Sequence, residues 1–199
     1  MIVVKVGGSL FDHPRLGPGL RAYLDSLAPA EVLLVPGGGA VADAVRHLDR
    51  VHGLGEEASH WLALRALGGT AAFLEQLVVF PGERRGVSPP VIHTTGGLTP
   101  RRSPVNVIDC LAFALEDESR PGPLPHSWDV TSDPIAARAA VVSGAERLVL
   151  LKSVDVPPGT PWEEAAARGW VDPHFPRVVE GAAFGIEVVN FRRVLDTLA

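Results

Sequence analysis

The sequence predicts an α/β fold in three layers: a mostly parallel central sheet sandwiched by helices, as a single domain over residues 1–199. Three observations carry this. Short β-branched or leucine-rich runs alternate with helical stretches along the chain. These runs are apolar almost throughout, as strands buried on both faces must be. Two of them end in glycine-rich loops, and the second loop opens directly into a helix.

Residues 2–6, IVVKV, form a β-branched run closed by Gly7 and Gly8, a buried strand entering a tight loop. Residues 14–28 predict the helix that follows. Residues 31–35 repeat the strand signature, and Pro36, Gly37, Gly38 and Gly39 open an Ala- and Val-rich helix to about residue 50. Residues 56–79 carry Leu62, Leu67, Phe73, Leu74 and Leu77 at helical spacing, with Gly68 and Gly69 expected to weaken or kink the middle. Residues 91–94 are a candidate strand and 106–116 a helix. Pro121, Pro123 and Pro125 then mark a turn. Residues 131–142 predict a helix with Thr131 near its cap and Asp133 in its first turn, where a carboxylate suits the macrodipole. Residues 147–151 are a strongly apolar strand ending at Lys152. Loops and one short helix are expected over 156–176, a last strand over 186–190 and a final helix over 191–198.

Composition narrows the function. The net charge is −5 and the pI about 5.8, so no global positive field exists to hold nucleic acid or an anionic membrane. Charges such as Arg65 and Glu75 interrupt the apolar stretches before they reach membrane-spanning length, and the N-terminal residues lack a long apolar run. The expectation is a soluble, cytoplasmic protein with neither nucleic acid nor membrane as partner. The single cysteine, Cys110, excludes an intrachain disulfide framework and a Cys-rich zinc site, and its apolar helical neighbours mark it as inert core. Seven histidines supply no i, i+4 pair within a predicted helix, so no metal site of the chain's own is expected.

The residues that suggest chemistry lie at strand ends. Gly7-Gly8-Ser9 and Gly37-Gly38-Gly39 each follow a buried strand, and in a parallel sheet both loops emerge at the carboxyl edge. Glycine lets backbone N–H groups approach phosphate oxygens, and a helix N-terminus adds partial positive charge. Two facing anion sites suggest phosphoryl transfer, while each loop alone reads equally as a tight turn. Of 18 basic residues only Lys5 and Lys152 are lysine, both at or near strand ends. A compact ammonium suits phosphate oxygens that move during reaction better than a planar guanidinium fork. Asp133 could hold a lysine in place, or could be ordinary helix-start chemistry. His60, with Arg46 and Arg65, could neutralise a substrate phosphate, or cap a helix at the surface. Gly37-x-Gly39-x-x-Ala42 also matches a dinucleotide fingerprint, with Glu56 or Glu57 about 20 residues on, but these acids open a helix instead of ending a strand. A dinucleotide oxidoreductase is therefore the least favoured alternative.

Lys5-Val6-Gly7-Gly8-Ser9, Val35-Pro36-Gly37-Gly38-Gly39, Thr131-Ser132-Asp133 and Leu151-Lys152-Ser153-Val154-Asp155 occur in an order that resembles the amino-acid kinase superfamily. Within it the chain is most similar to the [5-(aminomethyl)furan-3-yl]methyl phosphate kinases of methanofuran-type cofactor synthesis. The residues 39–46, Ser59-His60-x-Leu62-Ala63, His126-Ser127-Trp128, Val171-Asp172 to Phe175-Pro176 and Val188-Val189-Asn190 carry that likeness.

The resemblance implies ATP with Mg²⁺, transfer of the γ-phosphoryl group to a small phosphorylated substrate, a diphosphate product and a homo-oligomer. It implies that Lys5 stabilises the transferring group and Asp133 fixes the lysines. Gly7, Gly8, Ser9 and Ser132 would hold the nucleotide phosphates, with Lys152 and Asp155 beside the nucleotide. Gly37, Gly38, Gly39, Arg46 and His60 would bind the acceptor. Two departures stand out: Ser153-Val154-Asp155-Val156 replaces the usual Asp-Val-Asp-Gly, and Asn190-Phe191-Arg192 the usual Asn-Gly-Arg. They keep a non-catalytic nucleotide- or anion-binding protein open as the alternative.

Overall fold

The computed structural model describes residues 1–78 and 105–198. Five strands, β1 (Ile2–Val6), β2 (Val32–Pro36), β3 (Val105–Val107), β4 (Arg147–Lys152) and β5 (Gly185–Asn190), form one all-parallel sheet in the order β3-β2-β1-β4-β5. The chain winds outward from β1 through β2 to β3, then returns to place β4 on the other side of β1. The connections that leave β1 and β4 therefore diverge, and a crevice opens between their carboxyl ends. The predicted α/β architecture is the one observed.

Helices cover both faces. On one, α5 (Ser132–Ser143) lies over the sheet centre with α4 (Cys110–Asp117), α6 (Trp162–Ala167) and α7 (Phe175–Val179) around it. Val3, Leu148 and Leu150 of the sheet pack there against Ile135, Ala136 and Phe175. On the other face, Val4, Val6, Val149 and Leu151 pack against Leu16 and Leu20 of α1 (Leu16–Ser26) and Phe191 and Leu195 of α8 (Phe191–Thr197). The helix α3 (Glu56–Val78) supplies Leu64 and Leu67 to the first core and Leu74 to the second. Four buried alanines, 136, 137, 139 and 140, let the α5 axis approach the strands closely. That proximity sets the depth at which its first turn meets β1 and β4.

Several expectations need correcting. The helix expected over 106–116 starts at Cys110, because the Asp109 carboxylate accepts the N–H groups of Leu111 and Ala112 at 3.0 Å each and so caps the helix there. Asn106 and Val107, before the cap, belong to β3. Residues 156–176 hold the starts of two short helices, α6 and α7, where one was expected. Helix α3 continues through Gly68 and Gly69 without a break, and a Cβ at either would meet nothing within 4 Å. The candidate strand at 91–94 lies outside the described residues.

The two glycine loops touch each other. Gly7 N–H donates to Leu151 O, and Gly37 N–H to Val6 O, each at 2.8 Å, so both ladders extend one step past β1. A Cβ on Gly8 would lie 2.1 Å from Gly39 N, and one on Gly37 2.3 Å from Gly8 N. Gly39 has φ +51 as it opens α2 (Gly39–His52). Backbone packed on backbone thus demands glycine at these positions before any ligand is considered. Gly8→Ala should lower the urea midpoint by an amount equivalent to at least about 1–3 kcal/mol. Gly69→Ala, at an open helical position, should raise stability by about 0.4–1 kcal/mol. Equal effects of the two substitutions would contradict this packing.

Candidate active site

Side chains alternate along a strand, so Val3 and Lys5 of β1 share a face, as do Leu148, Leu150 and Lys152 of β4. Val3, Leu148 and Leu150 belong to the core beneath α5, which places both lysines on the α5 side at the carboxyl edge. The first turn of α5 delivers Asp133 between them. Lys5 Nζ lies 2.7 Å from Asp133 Oδ1, off the direction of an aligned hydrogen bond, and Lys152 Nζ donates to Asp133 Oδ2. Lys5 is 5% exposed and Asp133 1%.

Burial by itself would raise the Asp133 carboxyl, but the two ammonium groups overcome it and bring the pKa to about 2. Burial pulls Lys5 down, yet Asp133 and Asp172 more than compensate and its pKa is raised. Lys152 is lowered, by burial and then by Lys5, against the pull of Asp133. Lys152 is therefore the ammonium that loses its proton more readily.

Beside this cluster lies a cavity of about 200 Å³, walled by Gly8, Ser9, Gly38 and Gly39 from the two loops, Arg46 from α2 and His60 from α3. Thr131 and Ser132, next to Asp133, complete the wall, while Leu64, Leu67 and Ile135 make part of it apolar. Ser9 Oγ and Ser153 Oγ are hydrogen-bonded at 2.8 Å and join the loops after β1 and β4. Gly7 and Gly37 serve the loop packing described above. Asp155 is not part of the cavity wall; it is exposed and ion-paired with Arg193 of α8.

The outer wall is aromatic. The Arg46 guanidinium sits 5.1 Å from the ring centroid of Trp128 and donates to Asp43 at 2.8 Å. Trp128 Nε1–H donates to Asp49 Oδ2 at 2.9 Å, so α2 holds the indole at its face and at its N–H edge. His60 is buried, with its ring stacked on His126 at 5.2 Å between centroids. Burial, and next the neighbouring His126, hold His60 below its ordinary range, so it stands at neutral pH as an uncharged imidazole. Arg46 is then the permanent cation of this wall, and His60 a neutral hydrogen-bonding group.

The structure brings Gly8, Ser9, Gly38, Gly39, Arg46, His60 and Ser132 to one cavity, and Lys5, Asp133 and Lys152 to the ion cluster behind it. Sequence reasoning named Asp172 only within the Val171-Asp172 stretch that carries the likeness and gave it no role; its Oδ2 accepts from both Thr131 Oγ1 and the Asp133 backbone N–H. It lies in an irregular segment rich in Pro, Gly and Trp, where no periodicity signals position. Trp128 and Asp49 form a pair 79 residues apart, with no local signal at all. Glu56 and Glu57 open α3 and end no strand, so the dinucleotide pattern lacks its acidic partner.

A model of the "Amino acid kinase family" matches residues 1–156. The chain belongs to the amino acid kinase family. No curated protein sequence matches it significantly. Among solved structures, uridylate kinase from Archaeoglobus fulgidus is similar with a TM-score of 0.60 at 16% identity, covering 100% of this chain and 97% of that one. UMP kinase from Bacillus anthracis gives 0.58 at 15%, covering 99% and 92%, and UMP kinase from Ureaplasma parvum 0.57 at 13%, covering 98% and 94%. At such identities the likeness is one of fold. Membership of the amino acid kinase family supports a kinase-type phosphotransferase, working with a nucleotide on a small molecule. Among the described residues no helix is long and apolar enough to cross a membrane.

The depressed Asp133 pKa ties stability of this family member to acid pH. Its folded value of about 2 lies below the ordinary 3.8, so the contribution is complete above about pH 5 and is lost as pH falls through 2. Urea midpoints measured from pH 6 to pH 2 should show a loss on the order of 2 kcal/mol from this group. Asp133→Asn, if it folds, should remove that part of the slope.

Proposed function

We propose that this chain transfers the γ-phosphoryl group of ATP to a phosphomonoester, an aminomethylfuran-methyl phosphate, giving a diphosphate and ADP. One observation carries the reading: the cavity that presents Arg46 and His60 opens beside two buried ammonium groups held at one carboxylate. A phosphorylated acceptor needs a cation at its phosphate, and a phosphoryl group in flight needs compact positive charge held along its path. Arg46 meets the first need, Lys5 and Lys152 the second.

In this mechanism an oxygen of the acceptor phosphate attacks the γ-phosphorus, a new P–O bond forms, and the bond to the β-phosphate oxygen breaks as ADP leaves. Little covalent work falls to the protein, so its contribution is placement and charge. Gly8, Ser9 and Ser132 hold donor phosphates with Lys152 alongside, and Gly38 and Gly39 with Arg46 and His60 hold the acceptor, while Gly7 and Gly37, whose N–H groups are spent on the sheet, keep the two loops in register. Lys5 stabilises charge building on the transferring group, and Asp133 keeps both lysines in place. Trp128 and the apolar wall around Leu64 and Leu67 suit a small flat ring. Mg²⁺ neutralises phosphate charge when bound. Such a cation would be carried mainly by the phosphates of ATP. The same reading takes the chain to work in the cytoplasm as a homo-oligomer.

A second reading, a nucleotide-binding protein without transfer activity, is favoured by one feature: Asp155 pairs with Arg193 and stays out of the cavity wall. ADP release with Mg-ATP, measured across the furanmethyl phosphate, its free alcohol, uridine monophosphate, isopentenyl phosphate and N-acetylglutamate, separates the two. Turnover on the furan phosphate alone is expected, and silence across the panel in folded protein would support the second reading. Lys5→Ala should lower kcat by at least about 100-fold. Arg46→Ala should instead raise the acceptor KM about tenfold with kcat little changed, because Arg46 binds ground state and transition state alike.

A further inference from the structure

Asp172 lies beyond residue 156, where the family match ends, yet it is hydrogen-bonded directly to the carboxylate-bearing residue of the ion cluster. Its carboxylate and that of Asp133 are clamped reciprocally. Asp133 N–H donates to Asp172 Oδ2 at 3.0 Å, and Asp172 N–H donates back to Asp133 Oδ2 at 3.3 Å. Thr131 Oγ1–H donates to the same Asp172 oxygen. The segment before α7 is thus tied to the first turn of α5 by three hydrogen bonds, two to one carboxylate and one to the other.

We propose that Asp172 is a positioning residue of the phosphoryl-transfer site: it locks the Asp133 carboxylate through this reciprocal pair and supplies the second negative charge that keeps Lys5 and Lys152 together as ammonium ions. With Asp133 alone, two buried cations would share one anion. With Asp172 ionised as well, the four groups balance, and neither lysine needs to shed a proton to relieve repulsion. The charged groups facing Asp172 are Asp133 from α5 and Lys5 from β1, with Lys152 of β4 sensing it across the cluster. Burial and the Asp133 charge push the Asp172 carboxyl upward, while Lys5 and the Thr131 hydroxyl favour its ionised form. The proposal deepens the phosphotransferase reading and its kinetic arm rests on it, but its electrostatic arm does not.

The chain contains only two lysines, so protein labelled with ¹³C-lysine reports both side chains directly. In full-length Asp172→Asn, the lower of the two lysine titration midpoints should fall by about one pH unit, since a neighbouring negative charge has been removed. The kcat for ADP release should fall about tenfold with the KM for ATP unchanged, and the alkaline limb of the kcat–pH profile should move down with the lysine midpoint. Should Asp172→Asn not fold, Asp172→Ser removes the same negative charge while keeping an oxygen that can accept from the Asp133 N–H, and should move the same midpoint in the same direction. Unmoved lysine midpoints in a folded variant overturn the proposal, whatever happens to activity. A moved midpoint in a protein that phosphorylates none of the acceptors upholds the electrostatic role and counts against the functional reading alone.

Discussion

Two ammonium groups held against a buried carboxylate are the interaction on which the site depends. Taking three charges out of water costs several kcal/mol each unless geometry restores it. Here the restoration comes from close approach: Asp133 meets Lys5 with one oxygen and Lys152 with the other. Removal of either lysine leaves Asp133 one partner, whereas removal of Asp133 leaves two buried cations facing each other. The asymmetry explains why the carboxylate sits on α5, the most deeply buried helix, and the lysines on the two strands that it spans.

The sheet topology makes this arrangement possible. Strands β1 and β4 are adjacent and parallel, yet the chain leaves them in opposite directions, so their carboxyl ends are free of a shared connection. The glycine loops after β1 and β2 fill one side of that gap by direct backbone contact, and the Ser9–Ser153 hydrogen bond closes the other. A cavity wall made of main chain presents N–H groups at fixed positions and has few side-chain torsions to order when a ligand arrives. The aromatic wall differs in kind. Trp128 is held by Asp49 and faced by Arg46, three residues whose positions depend on α2 lying against the loop before α5.

Much of this was legible in residue order. The β-branched run of β1 and the Gly-rich turns pointed to the parallel sheet, and the two lysines at or near strand ends marked its carboxyl edge, while the face they share follows only from the register of β1 and β4. The helix over 106–116 was misjudged because apolar periodicity continued through Asn106 and Val107, while the deciding signal was a single cap at Asp109. His60 was placed by its neighbours, but the sequence held no indication that His126 would stack on it and keep it neutral. The placement of Asp172 was illegible for a stronger reason: although the residue stands in a stretch that carries the likeness, its partner Asp133 lies 39 residues away and its own segment has no repeating pattern.

The lysine economy of the chain has a consequence for its surface chemistry. Every lysine amine is occupied at the centre of the molecule, and the cations facing solvent are guanidinium groups. Reagents that acylate or cross-link lysine side chains therefore find both of them withheld in the native fold. Labelling of either lysine side chain thus counts molecules in which the central ion cluster has come apart.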